Sequence, residues 1–380
     1  MEKFILIPDS FKGTMDSMTL CGIMEKAIRK HFPEAKVVSL PVGDGGEGTV
    51  DSFLYALGGE RIKLEAAGPN FEPVDSFYGL LDGGSVAVIE MAAAAGLPLA
   101  GPDSNPLDTS TYGVGQLILD AASRKVEKIV LGLGGSATND GGCGLAAALG
   151  VRFLDDLGQS FIPVGGSLEK IRKIDLSGLH ESLAGIRIVA MCDIDNPLYG
   201  PEGAAHVFAP QKGADKDETE VLDAGLRHLA ERFRLDLGSD PAFLPGAGAA
   251  GGMGAGVHAF LGASLERGIE VVLDTVGFES RAQGADLVLT GEGKIDRQSL
   301  RGKVVAGVAR RAARLGVPVA AIVGDIGDDL EEFYEAGVSG IFSINRVVAD
   351  LDTARARSRE DLYLTVDNLM RFMKRMKKDQ

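Results

Sequence analysis

Asp9, Ser10, Lys12 and Thr14 stand in "PDSFKGT", directly after the apolar run "KFILI". In an open α/β sheet, ligands bind outside the carboxyl ends of the strands, so such a loop presents its side chains where a ligand would lie. Lys12 is a compact positive charge suited to a carboxylate or a phosphate. The same placement recurs along the chain. "GDGGEG" sets Asp44 and Glu47 after "KVVSLPV", and "CDIDNP" sets Asp193, Asp195 and Asn196 after "RIVAM". Carboxylates at strand ends suit Mg²⁺ ligation or proton abstraction. "LTGEGKIDRQSLRGK" adds Glu292, Lys294, Asp296, Arg297, Ser299, Arg301 and Lys303, two signs of charge side by side as at a metal-and-phosphate site. "FAPQKGA" contributes Lys212, a candidate phosphate clamp. Singly, each has a plain alternative in a helix cap or a solvated loop. Their repetition at successive strand ends is what points to a site.

The stretch "LGLGGSATNDGGCG", Leu131 to Gly144, lies between an apolar run and a helical pattern. Glycine-rich turns there bring bare backbone N–H groups close to an anion. "GLGGSA" matches the dinucleotide fingerprint, with Asp155 and Asp156 following "VRFL", which opens a nicotinamide-dehydrogenase alternative. That fingerprint needs its helix to begin within the glycine triplet, whereas "TNDGGCG" intervenes and resists helix through Gly144. A broad loop offering Ser136, Thr138, Asn139 and Asp140 fits a nucleotide triphosphate or a sugar-acid phosphate better. There is no GxxxxGK[ST], no HExxH or HxH and no GxSxG, so P-loop, zinc and nucleophile-elbow chemistries lack support.

These loops require strands and helices to hold them. Short apolar runs alternate with helix-period segments, the pattern of α/β layers with parallel strands. The rhythm changes near Gly68, where "VDSFYGLL" and "SVAVIEM" flank Asp82-Gly83-Gly84 as an antiparallel hairpin. A regular parallel pattern returns from about Asp286. The expectation is therefore two α/β domains: a discontinuous one with a parallel sheet over 1–66 plus 286–380, and an inserted mixed α/β domain over 67–285 with the glycine-rich loops. A length of 380 residues allows two cores, and the last helix, with Leu362, Val366, Leu369 and Met373 on one face, is expected to dock and leave a basic end in solvent.

A net charge of −15 argues against a general nucleic-acid partner, which would need excess Lys and Arg. Three scattered cysteines without a CxxC pair suit a reducing cytoplasm, and no apolar run is long enough to span a membrane.

Taken together and in order, "PDSFKGT", "DGGEGT", "GLGGSATNDGG", "CDIDNPLYGPEGAA", "FAPQKGA", "GAAGGMG" and "LTGEGKIDRQSLRGK" resemble the glycerate kinases of the bacterial glycerate-utilisation type, over nearly the whole chain. Gly43 and Lys294 depart from the pattern expected there, and neither removes a candidate ligand. The resemblance implies ATP- and Mg²⁺-dependent phosphorylation of D-glycerate, with a flavodoxin-like domain joined to a second α/β domain and the active site between them. Phosphoryl transfer asks for phosphate donors, carboxylates for Mg²⁺, a base at the attacking hydroxyl and a cation for the substrate carboxylate. On that expectation Asp193, Lys12 and Asp44 are catalytic, with Asp193 as base. Gly134, Gly135, Ser136, Thr138, Asn139 and Lys303 hold nucleotide or phosphate. Asp9, Ser10, Lys12, Asn196 and Lys212 hold substrate, and Glu47, Glu292 and Asp296 hold the metal. Carbon 2 and carbon 3 remain equal candidates for the phosphorylated hydroxyl.

Overall fold

The structure is a computed structural model that describes residues 2–296 and 304–377. Its contacts divide the chain into two compact units, Met1–Gly43 with Asp51–Leu57 and Ile269–Gln380, and Asp44–Val50 with Gly58–Gly268. These bounds differ from 66/67 and 285/286. Residues 60–66 belong to the strand Glu60–Ala67, which pairs antiparallel with Pro73–Leu81 and so joins the second unit's sheet. The helix Phe278–Ala282 and most of the helix Gly268–Thr275 fall in the first unit instead.

The first unit is built on a five-stranded parallel sheet in the order Val338–Ser343, Val319–Val323, Leu287–Gly291, Lys3–Pro8, Lys36–Ser39. Counted along the chain this is 2-1-3-4-5, the flavodoxin-like order, in which the direction of winding reverses between the first and third strands. Phe4 to Ile7 are wholly buried, as a central strand covered on both faces must be. The helix Ser17–His31 lies against this sheet through Leu20, Met24, Ala27 and Ile28, spaced for one face. Asp16 starts it by accepting from the Thr19 N–H at 2.6 Å. The final helix, Leu351–Lys377, docks on the same core through Leu362, Val366 and Met370. Asp367 accepts there from Lys30 Nζ and pairs with His31 Nε2, each at 2.8 Å.

The second unit carries a six-stranded mixed sheet in the order Ser264–Glu266, Arg187–Met191, Lys128–Gly132, Val86–Glu90, Pro73–Leu81, Glu60–Ala67. The first four strands are parallel, and the last two run antiparallel as the hairpin signal predicted. Glu90, the Leu133–Gly135 turn, Asp193 and Gly268 therefore all emerge at or just beyond the carboxyl ends of neighbouring parallel strands. "VRFL" forms Arg152–Leu154 in a separate three-stranded antiparallel sheet. Asp155 accepts there from the backbone of Leu157 and Gln159 in a turn. It does not end a parallel neighbour of Lys128–Gly132, as dinucleotide binding requires. The helix after the glycine loop, Cys143–Ala148, begins eight residues beyond Gly135 and includes Gly144, where the glycine-rich sequence predicts loop.

Candidate functional site

In the first unit the sheet's point of reversal brings two predicted segments together. Pro8 is in register with Gly291, and the Asp9 N–H donates to the Gly291 carbonyl at 2.9 Å. Asp9 and Glu292 thus leave adjacent strand ends side by side, with Glu292 buried and Asp9 half-buried. Beyond them the chain turns back through a bridge between Phe11 and Met15. Ser10, Lys12 and Thr14 on that turn, with Arg359 from the last helix, line an open hollow of about 300 Å³. Lys12 is exposed, as an anion anchor needs to be. Asp296 lies 3.5 Å from Lys294 Nζ, two residues away. Lys303, with Arg297, Ser299 and Arg301, lies outside the described residues. Arg359 was not foreseen, because nothing in a solvated helical face marks one arginine above another.

In the second unit the predicted glycine loops meet each other. The Gly134 N–H donates to the Gly45 carbonyl at 2.9 Å, and a Cβ on Gly134 would stand 2.7 Å from Gly46 Cα. Gly134 is thus a glycine because another backbone fills the space, which corrects its reading as a bare approach for phosphate. Gly135 is different. It is exposed and has φ +77, where a side chain is strained. Asp44 and Glu47 are exposed on the facing loop, and Asp44 Oδ1 accepts from the Gly46 N–H at 3.1 Å.

From Gly135 the loop descends into the interior, so that Ala137 to Asp140 are buried. Asp140, expected to offer itself to a ligand, is instead spent inside. Its oxygens accept from Thr111 N and Oγ1, both at 2.8 Å, from Gly142 N at 3.0 Å and from Gly144 N at 3.1 Å. Burial raises its pKa and these four bonds oppose the rise. Lys212 is only 5% exposed, and its ammonium donates to Ser136 Oγ and to the Thr138 carbonyl, each at 2.7 Å. Burial drives its pKa down to about 7, with the nearby Asp140 charge pulling the other way. A lone lysine in "FAPQKGA" gave no sign of this burial.

One further group was missed, and others are engaged within the protein. Glu90, at the end of Val86–Glu90, accepts from Val50 N at 2.6 Å and from Gly48 N, and so holds the start of the helix Thr49–Leu57. Burial raises its pKa. It obeys the strand-end rule used for the other acids and was overlooked. Asn196, expected on substrate, gives its amide to the Glu202 carbonyl at 2.8 Å. Asp193 is exposed; its Oδ1 accepts from the Gly268 N–H at 2.8 Å while Arg267 binds its carbonyl and the Asp195 carboxylate.

Among the described residues no three His, Cys, Asp or Glu side chains cluster as a self-sufficient metal site. The donor set is of another kind, with two carboxylates on adjacent strand ends beside a lysine-lined hollow. Mg²⁺ is typically held this way, by one or two carboxylates plus the phosphates of a substrate.

Comparison with known proteins matches the chain over nearly its whole length. Residues 4–374 fit the model of the glycerate kinase family. A glycerate kinase of Bacillus cereus is 45% identical over 97% of both chains, and the glycerate 2-kinase of Escherichia coli is 42% identical over 93% of both. A Salmonella typhimurium crystal structure named for glycerate kinase 2 superposes with a TM-score of 0.88 at 41% identity, covering 99% of each chain. Identity at this level over both units, together with the flavodoxin-like order that the sequence motifs led us to expect, leaves the dehydrogenase alternative without support: this chain belongs to the glycerate kinase family.

Proposed function

We propose that the enzyme transfers the terminal phosphoryl group of ATP to D-glycerate with the help of Mg²⁺. The observation that carries this reading is the whole-chain similarity to glycerate kinases. The name of the Escherichia coli relative favours the hydroxyl at carbon 2 as acceptor. Phosphoryl transfer is achieved chiefly by positioning and charge neutralisation. Lys12 anchors an anionic group, and Asp193 orients the acceptor hydroxyl and takes its proton, with Asp44 a further catalytic carboxylate. Glu292 and Asp296, with Asp9 beside Glu292, are the groups that would hold Mg²⁺, while Glu47 lies in the other unit. When bound, the ion neutralises phosphate charge. Three free, buried cysteines suit a reducing cytoplasm, and no helix among the described residues is long and apolar enough to cross a membrane.

Coupled ADP release with D-glycerate, followed by NMR of the product, tests the reading. 2-Phosphoglycerate is the expected product. 3-Phosphoglycerate would overturn the carbon assignment, and folded protein with no ADP release above background would overturn the activity.

A further inference from the structure

Lys212 is a buried cation held by neutral oxygens. Its two bonds use two of three N–H groups, and the third has no partner among the described residues. Lys212 makes no direct ion pair there either, and Asp140, the charge that acts on it, has its oxygens occupied by Thr111, Gly142 and Gly144. An ammonium removed from water without a counter-charge is costly to maintain. The same loop carries a second anomaly. Thr138 and Asn139 are 0% exposed, yet the Thr138 hydroxyl and both polar atoms of the Asn139 amide have no hydrogen-bond partner among the described residues. Buried polar groups in native proteins are almost always satisfied, and an exception calls for a water, an ion or a ligand. Ser136, which accepts from Lys212, retains its own hydroxyl hydrogen for another acceptor.

We propose that Ser136, Thr138, Asn139 and Lys212 form one oxyanion subsite of the second unit, taking the carboxylate of the hydroxy-acid substrate or a phosphate of the nucleotide. The groups with unused capacity are an ammonium N–H, two hydroxyls and an amide NH₂, a donor-rich set with a single positive charge. This is the complement of an oxyanion. The one unused acceptor, Asn139 Oδ1, matches a hydroxyl beside that oxyanion. The loop reaches the surface at Gly135, one residue before Ser136, so the donors lie just inside the surface. The subsite joins groups that the sequence divides between phosphate and substrate. It rests on the kinase reading only for which anion is bound.

Thr138→Val tests it. Replacing an unpartnered buried hydroxyl with a methyl of like shape costs the fold little or nothing, so a binding defect would not come from unfolding. The expected result is a melting temperature no lower than the parent's with a roughly 10–100-fold weaker interaction for one ligand, the loss of a hydrogen bond to a charged group. D-Glycerate and ATP are varied separately in steady-state kinetics and in ligand-induced thermal shifts. A change confined to D-glycerate assigns the carboxylate, and one confined to ATP assigns the phosphate. Asn139→Asp, which sets a negative charge in the subsite, is expected to weaken the same ligand and serves if the valine variant does not fold. Folded variants with both KM values and both thermal shifts unchanged would overturn the subsite and leave a pocket satisfied by water alone. If the parent binds ligands without releasing ADP, the kinase reading fails, and the thermal shifts still decide the subsite.

Discussion

Lys212 Nζ lies 2.7 Å from Ser136 Oγ, joining positions 76 residues apart in the chain. The bond fixes Ser136 at the outer end of the loop, and the companion bond to the Thr138 carbonyl fixes the buried Ala137–Asp140 segment behind it. A titratable group is therefore the strut of the loop.

This gives stability and anion binding opposite dependences on pH. Lys212 has a pKa of about 7 in the folded protein against 10.5 ordinarily, so between those values the unfolded chain holds a proton that the native state lacks. Stability then rises with pH across that window, by up to a few kcal/mol in total from this group. Denaturant titrations of the parent and Lys212→Met at pH 7 and pH 10 are expected to show the parent gaining relative to the variant. Oxyanion affinity, which needs the charged amine, is expected to fall over the same range. Parallel pH slopes for parent and variant would remove Lys212 as the titrating group.

The two glycines of the loop are expected to fail differently. Gly134→Ala drives a Cβ into the Gly46 backbone and should cost about 1–3 kcal/mol, the usual penalty of overpacking. Gly135→Ala meets only Ala92 Cβ at 3.2 Å but must hold φ +77, so a loss of about 1–2 kcal/mol from left-handed strain is expected. Substitution by D-alanine at 135 through chemical ligation should remove the second penalty and do nothing for position 134.

Glu90→Ala would leave the Val50 and Gly48 N–H groups without their buried acceptor. A loss of about 1–3 kcal/mol is expected on that ground. Hydrogen exchange should accelerate first at Gly48 and Val50. Unchanged protection at both amides would show that Glu90 is not what holds this helix start.

Asp193→Asn separates a catalytic from a capping role. Asparagine keeps an oxygen for the Gly268 N–H, so the turn should survive and the melting temperature stay near the parent's. As general base, Asp193 contributes a factor of roughly 10²–10⁴ in turnover, which asparagine would abolish at saturating substrate and Mg²⁺. Turnover within a few-fold of the parent would reduce Asp193 to a cap.

Much of this architecture was legible because local pattern and tertiary position agree. Within "KFILI", "RIVAM" and "DLVLTGEG" the runs Phe4–Ile7, Ile188–Met191 and Leu287–Leu289 are apolar without a break, as strands covered on both faces must be, and the acids behind them emerge at the strand ends. The strand Glu60–Ala67 alternates Ile62, Leu64 and Ala66 with Arg61, Lys63 and Glu65, a legible pattern that was missed. The site was less legible for a physical reason. Residue type reveals what a side chain can bind, and only packing decides whether it binds solvent, ligand or the protein itself. Asp140 is turned inward by a partner 29 residues back, Asn196 is engaged by a carbonyl six residues ahead, and Lys212 is buried by a loop from far away in sequence.

The middle of the parallel sheet also has a history. Phe4 pairs with Leu287, so the strand made first waits for about 280 further residues before its inner neighbour exists. At cellular synthesis rates that delay is roughly 15–55 s. Throughout it, Phe4, Ile5, Leu6 and Ile7, wholly buried in the finished protein, have one edge without its native partner. The stretch 58–268 is continuous and emerges complete in the meantime. Vectorial synthesis thus favours an order of assembly in which the inserted unit is finished first, while the oldest strand is the one a chaperone would have to guard.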